Sequence, residues 1–437
     1  MLRGVNKAQT DDACRLLQSV TVAARPLRVE EFAEILAFDF QTSTPGGIPT
    51  LTEDWRWDDQ EEAVLSTCSS LITIVPDGDS RVVQFSHFSV KEYLTSPRLA
   101  RSPCIDVSRF HINLEQAHTI MAQACLATLL RLDDHDGKNG AKGSPLVKYA
   151  AQYWVDHAQF EKVSSRIQDG MGDLFDSSKR HFAAWLQVHD IDECWSFFGA
   201  FQLHHIGSPL YYAAFCGLYD LAERLILKYP ERINACGGRI LAPLPAALYK
   251  RHFLVANLLY SHGAVVDVRD VHTRIPLMVV SASGQVDIMR WLLDHGANAN
   301  FRDCAGRTPL HYAAYHMHFE VVQVLLEHGV DINSQKIGGN TPLFDLLNAK
   351  SSSSKGMVDM VRQLLEHGAD TNIPNLGHST ALHLASSSGW AEVAQLLLSY
   401  GAKVDEKDQQ GRTPFQLASS NGHHATTKLL LDHGAVP

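Results

Sequence analysis

The chain has 437 residues, 45% hydrophobic and 20% charged, an ordinary soluble composition with room for more than one domain. Its formal net charge of −10 argues against a nucleic-acid or anionic-membrane partner. The eight cysteines form no Cys-x-x-Cys, no apolar run approaches the ~20 residues of a membrane span, and the N-terminal stretch MLRGVNKAQTDDACRLL has no signal-peptide core, so a reduced, cytoplasmic protein is expected.

Residues 11–40 read as two amphipathic helices about a turn at Ala24-Arg25-Pro26-Leu27. The second places Val29, Phe32, Ile35 and Leu36 on one face. A polar stretch containing Pro45-Gly46-Gly47 leads to a third helix over 59–71. Strands ITIV and RVVQFSH then flank the turn Pro76-Asp77-Gly78, and a short helix follows in HFSVKEYLTS. Three helices, a β-hairpin and a helix describe a winged-helix-like domain over 1–100. The helix that would enter a DNA groove carries Asp58, Asp59, Glu61 and Glu62 and no basic residue, so the domain is read as structural.

Residues 101–203 read as a helical linker domain, with helical stretches over 117–126 and 146–151, the latter with Trp154 and His157, and apolar anchors at Trp185, Trp195 and Phe198. The glycine-rich stretch 137–144 has the wrong spacing for a phosphate loop and follows a helix, which makes it a surface loop. Asp133-Asp134-His135-Asp136-Gly137 lacks the alternating ligands and terminal Glu of a calcium loop and reads as a turn.

From 204 onward the chain is periodic. His-Gly-Ala or His-Gly-Val recurs after Leu-rich segments at His262, His295, His328, His367 and His433, with Tyr400-Gly401-Ala402 as a variant. In step with it run Thr308-Pro309-Leu310-His311, Thr341-Pro342-Leu343-Phe344, Thr380-Ala381-Leu382-His383 and Thr413-Pro414-Phe415-Gln416. Degenerate copies begin at Ser208, Ala242 and Ile275. Seven units of roughly 33 residues are readable, the period of a stacked-repeat architecture. Thr caps a helix and Pro at the next position starts it without wasting an amide. Gly ends the second helix of each unit in a left-handed conformation. One unit cannot bury its apolar faces alone, whereas stacked units can. Extra residues around Ser351-Ser352-Ser353-Ser354-Lys355 read as a loop between the paired helices of the fifth unit. Thr426, Thr427 and Lys428 are expected to give the last unit a polar end face.

These residues resemble the ankyrin repeat over 204–437, with Asn300, Asn333 and Asn372 at the family's Asn position and Asp267 and Asp405 in its place in two units. The resemblance implies a mainly α chain, an ankyrin-repeat solenoid of about seven repeats with protruding hairpin-like loops and a concave binding face. The run Phe85-Ser86-His87-Phe88-Ser89-Val90-Lys91-Glu92-Tyr93-Leu94, with Arg25-Pro26-Leu27 and Glu30-Glu31-Phe32 upstream, resembles the winged-helix and helical region that follows the NACHT nucleotidase in fungal NOD-like (STAND-type) receptors. That implies the C-terminal, sensing part of such a receptor, with Met1 near where the nucleotidase would have ended. The chain contains no G-x-x-x-x-G-K-[S/T] sequence.

Of 23 histidines, seven keep repeat register: His262, His295, His328, His367, His433, His311 and His383. Recurrence in register points to structural hydrogen bonds rather than metal ligation. His204-His205 and His423-His424 lack the H-E-x-x-H spacing of a zinc site, and no G-x-S-x-G nucleophile context occurs. The expectation is a non-enzymatic protein-interaction module that binds a protein partner. No metal, cofactor or small-molecule substrate is expected, and no nucleic-acid or membrane contact. Matching the family's variable positions gives Phe215, Tyr249, Lys250, His272, Arg274, Arg307, Tyr315, His316, Gln410 and Arg412 as contact residues. Aromatic and arginine side chains suit interface hot spots.

Overall fold

A computed structural model of the protein describes residues 10–40, 48–51, 61, 64–65, 70–132, 144–189, 191, 207–238, 240–270, 272–349 and 354–437. The chain is mainly α and forms two compact units, Met1–His262 and Gly263–Pro437. Most of the expected third helix, residues 137–143 of the glycine-rich stretch, the 133–137 turn, His204, His205, Trp195 and Phe198 lie outside the described residues.

The first unit begins with α1 (Thr10–Val22), β1 (Leu27–Arg28), α2 (Val29–Leu36), β2 (Phe38–Asp39), β3 (Thr50–Leu51), β4 (Ile72–Asp77) and β5 (Ser80–Phe85). The antiparallel sheet runs β1-β5-β4, with Leu27 opposite Val83 and Ile74 opposite the same Val83. This is a winged-helix arrangement. The short strand β1, absent from the sequence reading, closes one edge of the wing. Glu31 fixes the entry to α2. Its carboxylate accepts from Arg25 Nη2 at 2.6 Å, Arg25 Nη1 at 2.8 Å and the Arg28 amide at 2.8 Å. Burial of Glu31 at 2% exposure is tolerable only because these donors satisfy it. Phe32, Ile35 and Leu36 are buried, as the apolar spacing of α2 requires.

Past α3 (Phe88–Leu94) and the single turns α4 (Pro97–Ala100) and α5 (Ile105–Ser108), a helical layer forms from α6 (Leu114–Leu130), α7 (Val147–Ala158), α8 (Val163–Arg166), α9 (Gln168–Leu174) and α10 (His181–Val188). Glu34 joins α2 to the start of α7 by accepting from Ser144 Oγ and the Leu146 amide. A buried hydrogen-bonded chain crosses this layer. The Ala24 amide donates to Tyr149 Oη at 3.0 Å, and Tyr149 Oη lies 2.9 Å from His157 Nε2. His157 Nδ1 lies 3.0 Å from His118 Nδ1.

The first two helix pairs, Pro209–Phe215 with Tyr219–Lys228 and Pro243–Tyr249 with Phe253–Ser261, belong to this first unit. Tyr212 packs edge-on against Phe182 with centroids 5.5 Å apart, Gln159 Nε2 donates to the Cys216 carbonyl, and Ser164 Oγ donates to Asp220. Those side chains tie the start of the repeats to the helical layer.

The second unit holds five helix pairs: Pro276–Ser283 with Val286–Asp294, Pro309–Tyr315 with Phe319–Glu327, Pro342–Leu347 with Ser354–Glu366, Ala381–Ser388 with Ala391–Ser399, and Pro414–Ser420 with His424–Asp432. Ala313, Ala314, Ala385 and Ala418 are fully buried on the short first helices, where small side chains let neighbours approach. The serine-rich insertion is partly helical: Ser354 starts a 13-residue helix where the neighbouring units have nine, and 351–353 are outside the described residues. Thr426, expected on a polar end face, is instead fully buried with an unpartnered hydroxyl, because it lies on the apolar stripe of its helix with Leu430. Lys428 is exposed and Thr427 half-buried, its hydroxyl donating to the His423 carbonyl.

Candidate functional site

Within Gly263–Pro437 the recurring polar residues form three parallel ladders. The first is the Asn position. Asp267, Asn300, Asn333, Asn372 and Asp405 each accept, through a side-chain oxygen, from a backbone amide of the following unit: Asn298, Asp331, Asp370, Lys403 and Val436, at 2.8–3.1 Å. Asn333 and Asn372 also donate to the carbonyls of Gly368 and Gly401.

The second ladder is built from histidines. His311 Nδ1 accepts from the Thr308 amide at 3.1 Å, so its proton is on Nε2, which donates to the Asn340 carbonyl of the next unit at 3.1 Å. His383 repeats this with Thr380 and Arg412. Burial lowers the pKa of both rings, which keeps them neutral and suited to accept on one nitrogen while donating on the other. The His-Gly-Ala histidines act within their own helices. His295, His328, His367 and His433 donate from Nδ1 to the carbonyl four residues earlier, at 2.7–2.9 Å. Each adds a second bond to a carbonyl of the last helical turn that already accepts from the same histidine's backbone amide.

The third ladder is in the hairpins, and the sequence reading missed it. Asp270 Oδ1 accepts from the amides of His272 and Arg274, Asp303 Oδ1 from Ala305 and Arg307, and Asp408 Oδ1 from Gln410 and Arg412. Asn375 does the same for Gly377 and Ser379. The signal was an Asp at the repeat period, obscured because Lys336 and Asn375 occupy its place in two units. Neighbouring hairpins are stitched by one backbone bond each: Cys304 to His272, Ile337 to Ala305, Leu376 to Gly338 and Gln409 to Gly377, donor first.

Against this frame the ten candidate residues divide. In the second unit, Arg274 and Arg412 are spent internally, each donating from Nε to the second oxygen of its hairpin Asp at 2.7 and 2.9 Å. His272 and Gln410 are exposed at hairpin tips, their amides held by Asp270 and Asp408. Arg307 is exposed, its guanidinium 5.5 Å from the Tyr312 ring, and Tyr312 Oη donates to Asp303 Oδ2 at 2.7 Å. Tyr315 is 40% exposed, and the exposed His316 ring packs edge-on against it with centroids 5.2 Å apart. In the first unit, Phe215, expected at the surface, is 3% exposed, with the ammonium of Lys250 4.6 Å from its ring centre. Lys250 is exposed and Tyr249 half-buried. The structure therefore brings together Tyr315 with His316 and Phe215 with Lys250. Arg307, Tyr315 and His316 belong to one repeat and are each exposed, with the buried first helix of that repeat running between Arg307 and Tyr315.

Among the described residues no group of three or more His, Cys, Asp or Glu could hold a metal ion, and no helix is long and apolar enough to cross a membrane. A groove of about 430 Å³ in the first unit is bordered by Cys14, Arg15, Asp39 and Arg109. Burial pushes the Cys14 thiol up to about 11, which leaves it protonated and unreactive at neutral pH.

The family model described as "Ankyrin repeats (3 copies)" matches residues 244–336 and 349–437. The repeats are ankyrin repeats. The model described as "GPI inositol-deacylase, winged helix domain" matches 2–106, so a winged-helix domain precedes the ankyrin repeats. The chain is 29% identical over 284 residues to the "Azaphilone pigments biosynthesis cluster protein L" of Monascus ruber, covering 61% of this chain and 58% of that protein. The chain thus spans less than two thirds of that relative. It is also similar to the crystal structure of the ankyrin repeat domain of Bcl-3, described as a member of the IkappaB protein family, at 28% identity and TM-score 0.46, covering 51% of this chain and 98% of that one. Ankyrin repeats generally mediate protein–protein interaction and are typically non-enzymatic.

Proposed function

We propose that the chain is a non-enzymatic protein-interaction module whose contact surface includes Arg307, Tyr315 and His316, and that it acts as the sensing part of a fungal NACHT–ankyrin receptor. One observation carries the binding reading. The recurring Asn, His and Asp side chains of Gly263–Pro437 are consumed by bonds within and between repeats, whereas Tyr315 and His316 pack on each other at the surface, and on the same repeat Arg307 is exposed with its guanidinium over the Tyr312 ring. Arg274 and Arg412 hold their hairpins and make poor probes of recognition. The partner is a protein; nucleic acid, membrane and small-molecule substrate are set aside on net charge and on the absence of a phosphate loop in the sequence. The protein works in the cytoplasm.

The test is capture of a cellular partner by the full chain and by the variant carrying Arg307→Ala, Tyr315→Ala and His316→Ala. Capture should fall at least about tenfold, the scale of an interface hot spot, with an unchanged thermal midpoint. Equal capture by both proteins would remove these residues from the contact surface.

The receptor role draws support from the winged-helix match followed by ankyrin repeats. A second reading, a free-standing ankyrin adaptor unrelated to immune or non-self recognition, is favoured by the relative's name, which places that protein in a pigment-biosynthesis cluster. Sequencing the transcript upstream of the Met1 codon separates the two. An in-frame P-loop supports the receptor, and an in-frame stop supports the adaptor.

A further inference from the structure

The Asn ladder holds a chemical exception. Asn333 and Asn372 each clasp the following loop with two bonds. Oδ1 accepts from a backbone amide, and Nδ2 donates to the glycine carbonyl two residues before that amide, at 3.2 Å to Gly368 and 3.0 Å to Gly401. Asp267 makes the first bond and not the second. Its Oδ2 accepts from the Asn298 amide at 3.1 Å, and Gly296 stands two residues before Asn298, in the register of Gly368 and Gly401. The other oxygen, Oδ1, is buried and has no hydrogen-bond partner among the described residues.

An ionised carboxylate only accepts, and so does a carbonyl, so ionised Asp267 cannot complete the clasp. A protonated carboxyl can, because its O–H stands where Asn has an N–H. Burial of a carboxylate oxygen without a donor also disfavours the ionised form. The surroundings agree. Burial raises the Asp267 pKa above the ordinary carboxylate value, against lowering by the Asn298 amide and Arg269. Arg269 lies on the same loop, exposed, with its guanidinium 4.8 Å from the Phe301 ring centre. On the facing segment Asn298 is uncharged, Asp294 is exposed, and His295 turns Nδ1 to the Trp291 carbonyl. Asp405, the other Asp of the ladder, is an exposed residue.

We propose that Asp267 is a proton-operated clasp: protonated, its carboxyl donates to the Gly296 carbonyl as Asn333 and Asn372 donate to theirs, and ionised, it leaves that second bond open. The loops 263–270 and 296–300 are then joined by two side-chain bonds in acid and by one at higher pH. A carboxyl whose folded pKa is raised stabilises the fold below its unfolded value, near 3.9. That contribution is lost as pH rises through the folded value.

The test compares the full chain with Asp267→Asn, whose amide supplies the donor at every pH, by urea unfolding from pH 7.5 down to about 4. Titrations elsewhere are common to both proteins and cancel in the difference. At pH 7.5 Asp267→Asn should raise the folding equilibrium constant roughly three- to tenfold, the scale of one added hydrogen bond. The gain should shrink as pH falls and Asp267 of the unaltered protein takes up its proton. A carboxyl ¹³C signal absent from the Asn variant identifies Asp267, and its titration midpoint should lie above about 3.9. No gain at pH 7.5, a gain that stays constant or grows as pH falls, or a midpoint at or below the ordinary value overturns the proposal.

Discussion

The imidazole of His318 sits on Gly284 of the preceding repeat. A Cβ added at Gly284 would lie 2.7 Å from His318 Nδ1, and the ring's Nε2 is 2.9 Å from the Ala282 carbonyl, to which it donates. Gly389 with His423, and Gly217 with His252, repeat the arrangement. Gly284 also has φ +75°, a left-handed conformation that strains any residue with a Cβ.

Gly284→Ala should therefore cost about 2–3 kcal/mol, combining backbone strain with displacement of the ring. In a His318→Ala background the same change should cost only about 1–2 kcal/mol, because strain alone remains. A double-mutant cycle by chemical denaturation reads the difference. Strict additivity would show that the ring and the glycine do not interact.

Asn333 tests the first ladder. It accepts from the Asp370 amide at 2.8 Å and donates to the Gly368 carbonyl at 3.2 Å. Asn333→Ala removes both and should destabilise the protein by about 1–2 kcal/mol. Asn333→Asp keeps the acceptor, as Asp405 does toward Val436, and should cost clearly less. Equal loss of stability in the two variants would refute the acceptor as the main contribution.

Most of the repeat architecture was legible because its determinants are local and periodic. The left-handed glycines, the Thr-Pro helix starts and the Asn position each announce themselves within one unit. What escaped notice depends on contacts between segments. Strand β1 has two residues and exists only through pairing with β5. The packing of the first repeats against the helical layer rests on single side chains such as Tyr212 and Gln159. Phe215 matched a variable position by register, yet it is buried in the first unit. Of the candidate site, residue type gave the arginines, but only geometry separates Arg274 and Arg412, which brace hairpins, from Arg307, which does not bond its hairpin Asp through its guanidinium.

Asp303 tests the hairpin brace. Asp303→Ala leaves the Ala305 and Arg307 amides and the Tyr312 hydroxyl without their acceptor, at about 2–3 kcal/mol in total since the tip is partly hydrated. Asp303→Asn retains an Oδ1 acceptor, as Asn375 provides naturally, and should cost about 1 kcal/mol. Hydrogen exchange at Ala305 and Arg307 should accelerate strongly in the Ala variant and little in the Asn variant. Unchanged protection in the Ala variant would show that the backbone turn holds without the carboxylate.

The buried chain in the first unit makes stability depend on pH. The Ala24 amide must donate to Tyr149 Oη, so the Tyr149 hydroxyl proton turns to His157 Nε2, and His157 Nδ1 carries a proton toward His118. That tautomer is neutral. Burial first, then the neighbouring His118, pushes His157 down to about 3, and burial with Lys91 lowers His118. Arg25, its guanidinium 5.1 Å from the Tyr149 ring centre, adds positive charge nearby, balanced by its bond to Glu31. An unfolded His titrates near pH 6.5. The folded state therefore binds fewer protons between pH 6.5 and about 3, so this contribution is complete above pH 6.5 and is lost progressively as pH falls through that window. Near pH 4.5 the loss should reach about 2–3 kcal/mol from His157 alone. His157→Gln should lower stability at pH 7.5 and flatten its dependence between pH 6.5 and 4.5, as read from urea midpoints. A wild-type slope kept intact in the variant would place the acid sensitivity elsewhere.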